Sequence, residues 1–169
     1  MYYSTMYQLP VGLVTLACDE HNLAGLWIKG QKYFGHSVSG AMTEKDKMPV
    51  FDKTKKWLDS YFAGKKPAIT ELPLAPLGSA FRQEVWNILC AIPYGEVMSY
   101  GDIAKKIAAN RNQKSMSSQA IGGAVGHNPI SIIIPCHRVI GSNGSLTGYA
   151  GGIAVKKKLL ALEGVQAFC

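Results

Sequence analysis

Cys136 is followed at once by His137 and Arg138, preceded by Pro135, and led into by Ser131-Ile132-Ile133-Ile134. A thiol attacks as its thiolate, so a reactive cysteine needs a nearby base or positive charge. His137 and Arg138 both supply that need, and Pro135 fixes the turn on which the thiol sits. The β-branched run reads as a buried strand that delivers Cys136 at its end. A final basic helix, expected over Val155 to Leu162, stops at Glu163-Gly164, and a carboxylate there can orient a histidine. Cys136, His137 and Glu163 thus form a nucleophile, a base and an orienting acid. The same residues also fit a plainer description: a small buried thiol, a satisfied histidine and a helix terminus. Gly141, Gly144, Gly148, Gly151 and Gly152 accumulate after the thiol, as expected where loops must approach a ligand closely.

The elements upstream of this segment are helical. Ser79 can cap a helix running to about Ala91, with Phe81, Val85, Trp86, Ile88 and Leu89 on its apolar face, ended by Pro93-Tyr94-Gly95. Ser99 caps a second helix, Tyr100 to Ala108, and a polar basic loop follows from Asn110 to Ser115. Ser117 or Ser118 then caps Gln119 to Gly126, a helix made mostly of Ala and Gly. Two short helices joined by a tight polar loop outline a helix-turn-helix. Small residues also serve close packing in a core. The second helix, however, lacks the long apolar side chains of a core helix, and Arg111 and Lys114 stand in the loop without a neighbouring acid.

Toward the N-terminus, Tyr2 to Leu9, Gly12 to Ala17 and Leu23 to Ile28 read as strands of an antiparallel meander. Residues 29–49 read mostly as loop, Val50 to Phe62 as a helix, and Lys65 to Leu77, with Pro67, Pro73 and Pro76, as an extended linker. The 169 residues are 47% hydrophobic and 17% charged, which excludes general disorder. No apolar run approaches the ~20 residues of a membrane span, and the first ten residues have neither a basic nor an apolar stretch, so no secretion signal and a cytoplasmic location are expected. Cys18, Cys90, Cys136 and Cys169 are widely spaced, which suits free thiols better than disulfides. Cys18, His21 and His36 are at most a partial ligand set, so no metal is expected. The net charge is +7 and unevenly placed: residues 1–75 carry nine Lys/Arg against seven Asp/Glu, residues 76–169 nine against four. The second half is the better match to a polyanion.

Ile134-Pro135-Cys136-His137-Arg138-Val139-Ile140 resembles the active-site motif of the O6-alkylguanine-DNA alkyltransferases, the methylated-DNA–protein-cysteine methyltransferases. Ile92-Pro93-Tyr94-Gly95, Ser99-Tyr100-Gly101, Gly122-Gly123-Ala124 with Asn128-Pro129, Thr147-Gly148-Tyr149-Ala150-Gly151-Gly152 and Leu162-Glu163-Gly164 follow the same family in order. The resemblance implies an α/β N-terminal domain at residues 1–75, ribonuclease H-like with an antiparallel sheet. It implies a mainly α C-terminal domain at 76–169 with a winged-helix-like helix-turn-helix. It further implies repair of double-stranded DNA by a monomer, without cofactor and with cooperative loading open. O6-alkylguanine, and O4-alkylthymine with it, is flipped out through the minor groove, and the alkyl group passes irreversibly to Cys136. His137 acts as base through a bound water, Glu163 holds it, and Asn128 ties the helix-turn-helix to the active-site segment. Tyr100, Val125, Val139, Ser142, Tyr149, Ala150 and Gly151 fall on the substrate pocket, and Ser117, Gln119, Ala120, Gly123 and Arg138 on the DNA contacts.

An Ala/Gly helix suits the minor groove, which at about 6 Å is too narrow for one with long side chains. One position departs from the family: its usual arginine finger falls on Gln119, which can hydrogen-bond an orphaned cytosine but brings no charge. Three rivals are a binding-only damage sensor, a thiol-sensing helix-turn-helix regulator and a cysteine hydrolase. The first conflicts with the presence of Cys136. The second wants a base-reading helix, where only Gln119 qualifies, and the third an oxyanion hole.

Overall fold

In a computed structural model the chain divides into two units, Met1–Leu77 with Pro129–Ile133, and Gly78–Asn128 with the chain from Ile134 onward. Residues 1–38, 40–146 and 148–165 are described; Thr147 and Cys169 lie outside them.

In the first unit, β1 (Tyr3–Leu9) and β2 (Gly12–Cys18) form a hairpin that sets Tyr3 opposite Cys18 and Leu9 opposite Gly12. β3 (Leu23–Ile28) pairs antiparallel with β2, which completes the expected meander. The stretch expected as loop adds β4 (Thr43–Glu44), parallel to β1, so the sheet order is β3-β2-β1-β4. α1 (Pro49–Phe62) starts on a proline, which has no N–H to lose there, and buries Val50, Phe51, Trp57, Leu58 and Tyr61.

Every residue of β3 is buried although the strand ends the sheet. Two pieces of backbone complete its open edge, which would otherwise be a template for unwanted pairing. Leu23 donates to the Pro73 carbonyl at 2.7 Å and accepts from Ala75 at 2.8 Å; Leu26 donates to Pro129 at 2.8 Å and accepts from Ser131 at 3.0 Å. The stretch expected as an extended linker is therefore stitched to the sheet. It also carries a 3-10 turn at Ile69–Glu71, and the Trp57 indole N–H donates to the Ala68 carbonyl at 2.8 Å.

The apolar run ahead of Cys136 is not the expected strand. Only Ile130 bridges a strand residue, Leu26. Ile132 has a φ of 72°, and Ile133 N–H bonds the Ser131 carbonyl at 2.8 Å, a γ-turn centred on Ile132. An inverse γ-turn follows on Pro135 (φ −82°, ψ 64°), where Cys136 N–H reaches the Ile134 carbonyl at 2.8 Å. A left-handed β-branched residue costs on the order of 1–3 kcal/mol. Burial of Ile130, Ile132, Ile133 and Ile134 opposes that cost, at about 1.5–3 kcal/mol per side chain.

The second unit runs α2 (Ala80–Cys90), β5 (Met98–Ser99), α3 (Tyr100–Asn110), α4 (Ser118–Gly126), β6 (Val139–Ile140) and α5 (Ile153–Leu162), with β5 and β6 paired in parallel. Serine hydroxyls start three of the helices. Ser79 accepts from Arg82 N–H at 3.3 Å, Ser99 from Asp102 at 3.0 Å, and Ser117, rather than Ser118, from Ala120 at 3.3 Å. α2, α3 and α4 bury Trp86 and Leu89, Ile103 and Ile107, and Ile121 and Val125. Arg111 is not without an acid: its Nε and Nη2 donate to Glu84 of α2 at 3.1 and 2.8 Å. Among the described residues no helix is long and apolar enough to cross a membrane.

Candidate active site

After the Pro135 turn, Cys136, His137 and Arg138 form a single 3-10 turn and all three are buried. Their partner comes from the end of α5. Lys156, Leu159, Leu160 and Glu163 follow the i, i+3, i+4, i+7 spacing of one helix face, and all four are buried. The Glu163 carboxylate accepts from Arg138 Nε at 2.7 Å and Nη2 at 3.2 Å, and from Gly95 N–H at 3.2 Å. Its Oε2 lies 2.6 Å from His137 Nε2. Arg138 Nη1 donates to the Ile92 carbonyl at 2.6 Å. Gly95 (φ 82°) approaches so closely that a Cβ there would lie 3.1 Å from the Glu163 carbonyl oxygen.

This pairing fixes the histidine. A carboxylate held by a guanidinium stays ionised and accepts only, so neutral His137 donates from Nε2 and keeps its lone pair on Nδ1. Nδ1 is buried, and no described group hydrogen-bonds it. Burial holds the imidazole below its ordinary pKa, against the opposing pull of Glu163, which keeps it neutral and able to take a proton. Burial also pushes the Cys136 thiol up, while the Asn128 side chain and the Lys156 charge pull it back. Burial thus favours the neutral form of both side chains.

Asn128 Nδ2 donates to the Ile134 carbonyl at 2.8 Å, joining the end of α4 to the residues entering the Cys136 turn. The last carbonyls of α4 also have side-chain partners: the Trp86 indole donates to Ala124 at 2.9 Å, and His127 Nδ1 lies 2.7 Å from the Gly123 oxygen. Gln119, Ala120 and Gly123 are exposed on one side of α4 and Ser117 is exposed at its N-cap, while Ile121, Ala124 and Val125 are buried on the other side. Beside them a cleft of about 500 Å³ between α3 and the loop before α4 is lined by Lys105, Gln113, Lys114 and Ser115.

Among the residues expected at the substrate pocket, Val125 and Val139 are buried, Tyr100, Tyr149, Ala150 and Gly151 half-buried, and Ser142 exposed. Ser142 and Gly148 lie against the start of α3, since a Cβ on Gly101 would be 3.2 Å from Ser142 Oγ and one on Gly148 3.8 Å from Tyr100 OH. Arg138, expected at the DNA, is instead 6% exposed, with its guanidinium committed to Glu163 and Ile92. Sequence reasoning missed that role, the backbone of Gly95 and the buried Lys156. The helical spacing of Lys156 with Leu159, Leu160 and Glu163 was the available signal. Among the described residues no group of three or more His, Cys, Asp or Glu is placed to hold a metal ion.

Such an assembly defines a class: a helix-turn-helix domain that carries a buried Cys136-His137-Arg138 turn, in a chain that begins with a small α/β unit. Two family descriptions match it, "6-O-methylguanine DNA methyltransferase, ribonuclease-like domain" over residues 1–76 and "6-O-methylguanine DNA methyltransferase, DNA binding domain" over residues 80–165. The chain belongs to the 6-O-methylguanine DNA methyltransferase family. It is 44% identical over 165 residues to a methylated-DNA–protein-cysteine methyltransferase of Methanosarcina acetivorans, covering 97% of this chain and 99% of the relative. The corresponding Haemophilus influenzae protein is 39% identical over 161 residues, covering 95% of this chain and 86% of its own. The crystal structure of Mycobacterium tuberculosis OGT in complex with DNA superposes with a TM-score of 0.80 at 40% identity, covering 96% of this chain and 91% of that one.

Proposed function

We infer that the protein repairs alkylated double-stranded DNA by moving the alkyl group from O6 of guanine, and from O4 of thymine, onto Cys136, once per molecule. The observation that carries this reading is a buried thiol next to a buried histidine whose one free lone pair, on Nδ1, is fixed by the Glu163–Arg138 pair behind it. In the reaction the thiol proton passes through a water to Nδ1, and the Cys136 thiolate attacks the alkyl carbon in line. The S–C bond forms as the C–O6 bond breaks, and its electron pair stays on the base. One proton returns to the base, leaving ordinary guanine and a neutral thioether. The substrate has then exchanged an alkyl group for the thiol's proton, so atoms and charge balance. A thioether offers no proton and is a poor leaving group, which makes the step final.

Reaching a base inside a duplex means extruding it, at a cost of a few kcal/mol. The exposed Ser117, Gln119, Ala120 and Gly123 side of α4 is small enough for the minor groove, and Gln119 fills the gap left by the flipped base. Tyr100, at the start of α3, turns the target phosphate toward the pocket. Lys105 and Lys114 supply charge for the flanking backbone. One chain carries the nucleophile, its base and the DNA helix, which supports a monomer as the working unit. The need for a free thiol at Cys136 favours the reducing cytoplasm.

Incubation with an O6-methylguanine oligonucleotide followed by mass analysis tests this directly. A gain of about 14 Da on the Cys136 peptide, absent in Cys136→Ala, is the expected result. Tight binding with no gain would make the protein a sensor instead.

A further inference from the structure

Beyond α2, Pro93 to Glu96 make a tight turn, closed by Glu96 N–H on the Pro93 carbonyl at 3.1 Å, with left-handed Gly95 at its third position. Besides presenting Gly95 N–H to Glu163, the turn places Tyr94 against the same cluster. The Tyr94 hydroxyl donates at 3.1 Å to the Leu162 carbonyl, one of the last of α5, which a helix end leaves without an internal partner. The Tyr94 ring centre lies 5.8 Å from the Arg138 guanidinium, a cation–π contact. Tyr94 is half-buried while Arg138 and Glu163 are buried, which puts the ring on the solvent side of their ion pair. Arg138 needs no ring to satisfy its donors, since Nε and Nη2 meet Glu163 and Nη1 meets Ile92. What the ring adds is cover.

We propose that Tyr94 is a positioning residue for alkyl transfer: its ring keeps water off the Arg138–Glu163 pair and its hydroxyl fixes the end of α5, so that Glu163 meets His137 Nε2 in one geometry. This rests on the reading of His137 as the base. Water reaching either charge would screen their attraction and offer competing hydrogen bonds. The seal also matters to the histidine. Burial is the largest influence holding His137 below its ordinary pKa, with Arg138 and Lys156 adding to it and Glu163 opposing. Water admitted at Tyr94 weakens that burial, so His137 takes a proton at a higher pH and ceases to be a base there. Burial and Glu163 hold the Tyr94 phenol above its ordinary value, against Arg138, so it stays a donor through neutral pH. The other ionisable groups around the pair are Cys136 on the same turn, Lys156 on the buried face of α5 and Cys90 at the end of α2. All of them are kept when Tyr94 alone is replaced.

The test uses the full chain with Tyr94→Phe, which keeps the ring, and Tyr94→Leu, which keeps apolar bulk without an aromatic face. Side-chain NMR of His137 across about pH 4–8 reads the base without DNA. Its midpoint should rise by about half a pH unit or more in Tyr94→Leu and stay at the wild-type value in Tyr94→Phe. The acid limb of single-turnover methyl transfer should move up with it, slowing Tyr94→Leu about threefold or more in that range, with DNA affinity kept. A loss of structure alone would slow transfer equally at every pH. A folded Tyr94→Leu with the wild-type midpoint would overturn the proposal, as would a Tyr94→Phe shifted as far as the leucine variant. Failure of the wild type to take a methyl group would sink the repair reading, yet the His137 titration would still decide the role of Tyr94. If Tyr94→Leu does not fold, exchange of the Arg138 Nε–H with water is measured in wild type and Tyr94→Phe instead. That proton should exchange about tenfold more slowly, or slower still, than one on a free arginine side chain, and exchange at the free rate would contradict the seal.

Discussion

The exposed side of α4 and the buried cluster around Glu163 belong to one unit and place opposite demands on their residues. On α4, Ser117, Gln119, Ala120 and Gly123 face outward, and a Cβ added at Gly123 would meet nothing within 4 Å. Around Glu163, by contrast, four donors converge: Arg138 Nε and Nη2, Gly95 N–H and His137 Nε2 all meet one carboxylate. Smallness defines the first region and complementary charge the second. Changes on α4 should therefore alter DNA binding while leaving the fold intact, and changes in the cluster should damage fold and chemistry together.

Glu163→Gln is expected to produce the largest effect. It leaves the buried Arg138 guanidinium without its counter-charge, and breaking such a pair costs about 3–5 kcal/mol. The urea midpoint should fall accordingly; an unchanged midpoint would mean the pair is not structural. His137→Gln should slow single-turnover transfer by about 10²–10⁴-fold, with DNA affinity kept. The pH dependence sharpens this. Burial lowers the His137 pKa, so in wild type the base stays available as the pH falls through its ordinary value of about 6.5. The acid limb of the rate should lie below that value, and a limb above it would contradict a neutral buried base.

On α4, Gly123→Leu should weaken duplex binding tenfold or more, while helix propensity favours the fold by up to about 1 kcal/mol. Equal loss of binding and stability would erase the contrast between the two regions. Gln119→Arg is the gentlest change. An added cation at the exposed start of the helix should tighten binding and speed transfer several-fold, more so at low salt. Unchanged affinity and rate would remove Gln119 from the gap left by the flipped base.

Much of the fold was legible because its signals are local. Ser79, Ser99 and Ser117 announce helices through bonds made within three residues, and the strands of β1 to β3 are bounded by turn residues. The run before Cys136 was not, because a buried strand and a pair of γ-turns use the same β-branched residues; the left-handed Ile132 has no signature in sequence. β4 exists only through its pairing with β1, and the 65–77 stretch is ordered by the edge of β3. At the site, Cys136, His137 and Glu163 could be picked out by type and order. Arg138 could not be placed, since an arginine beside the thiol faces DNA or protein depending on a glutamate 25 residues away. Lys156 was hidden among three consecutive lysines, although its helical register with Glu163 marks the buried face.

Counting repaired bases against protein tests the one-use acceptor most directly. With methylated duplex in large excess, restored guanine should rise and stop at one per protein molecule, with all the methyl on Cys136. Restoration of guanine beyond that equivalence would show that Cys136 is regenerated, and the final thioether on Cys136 would be contradicted.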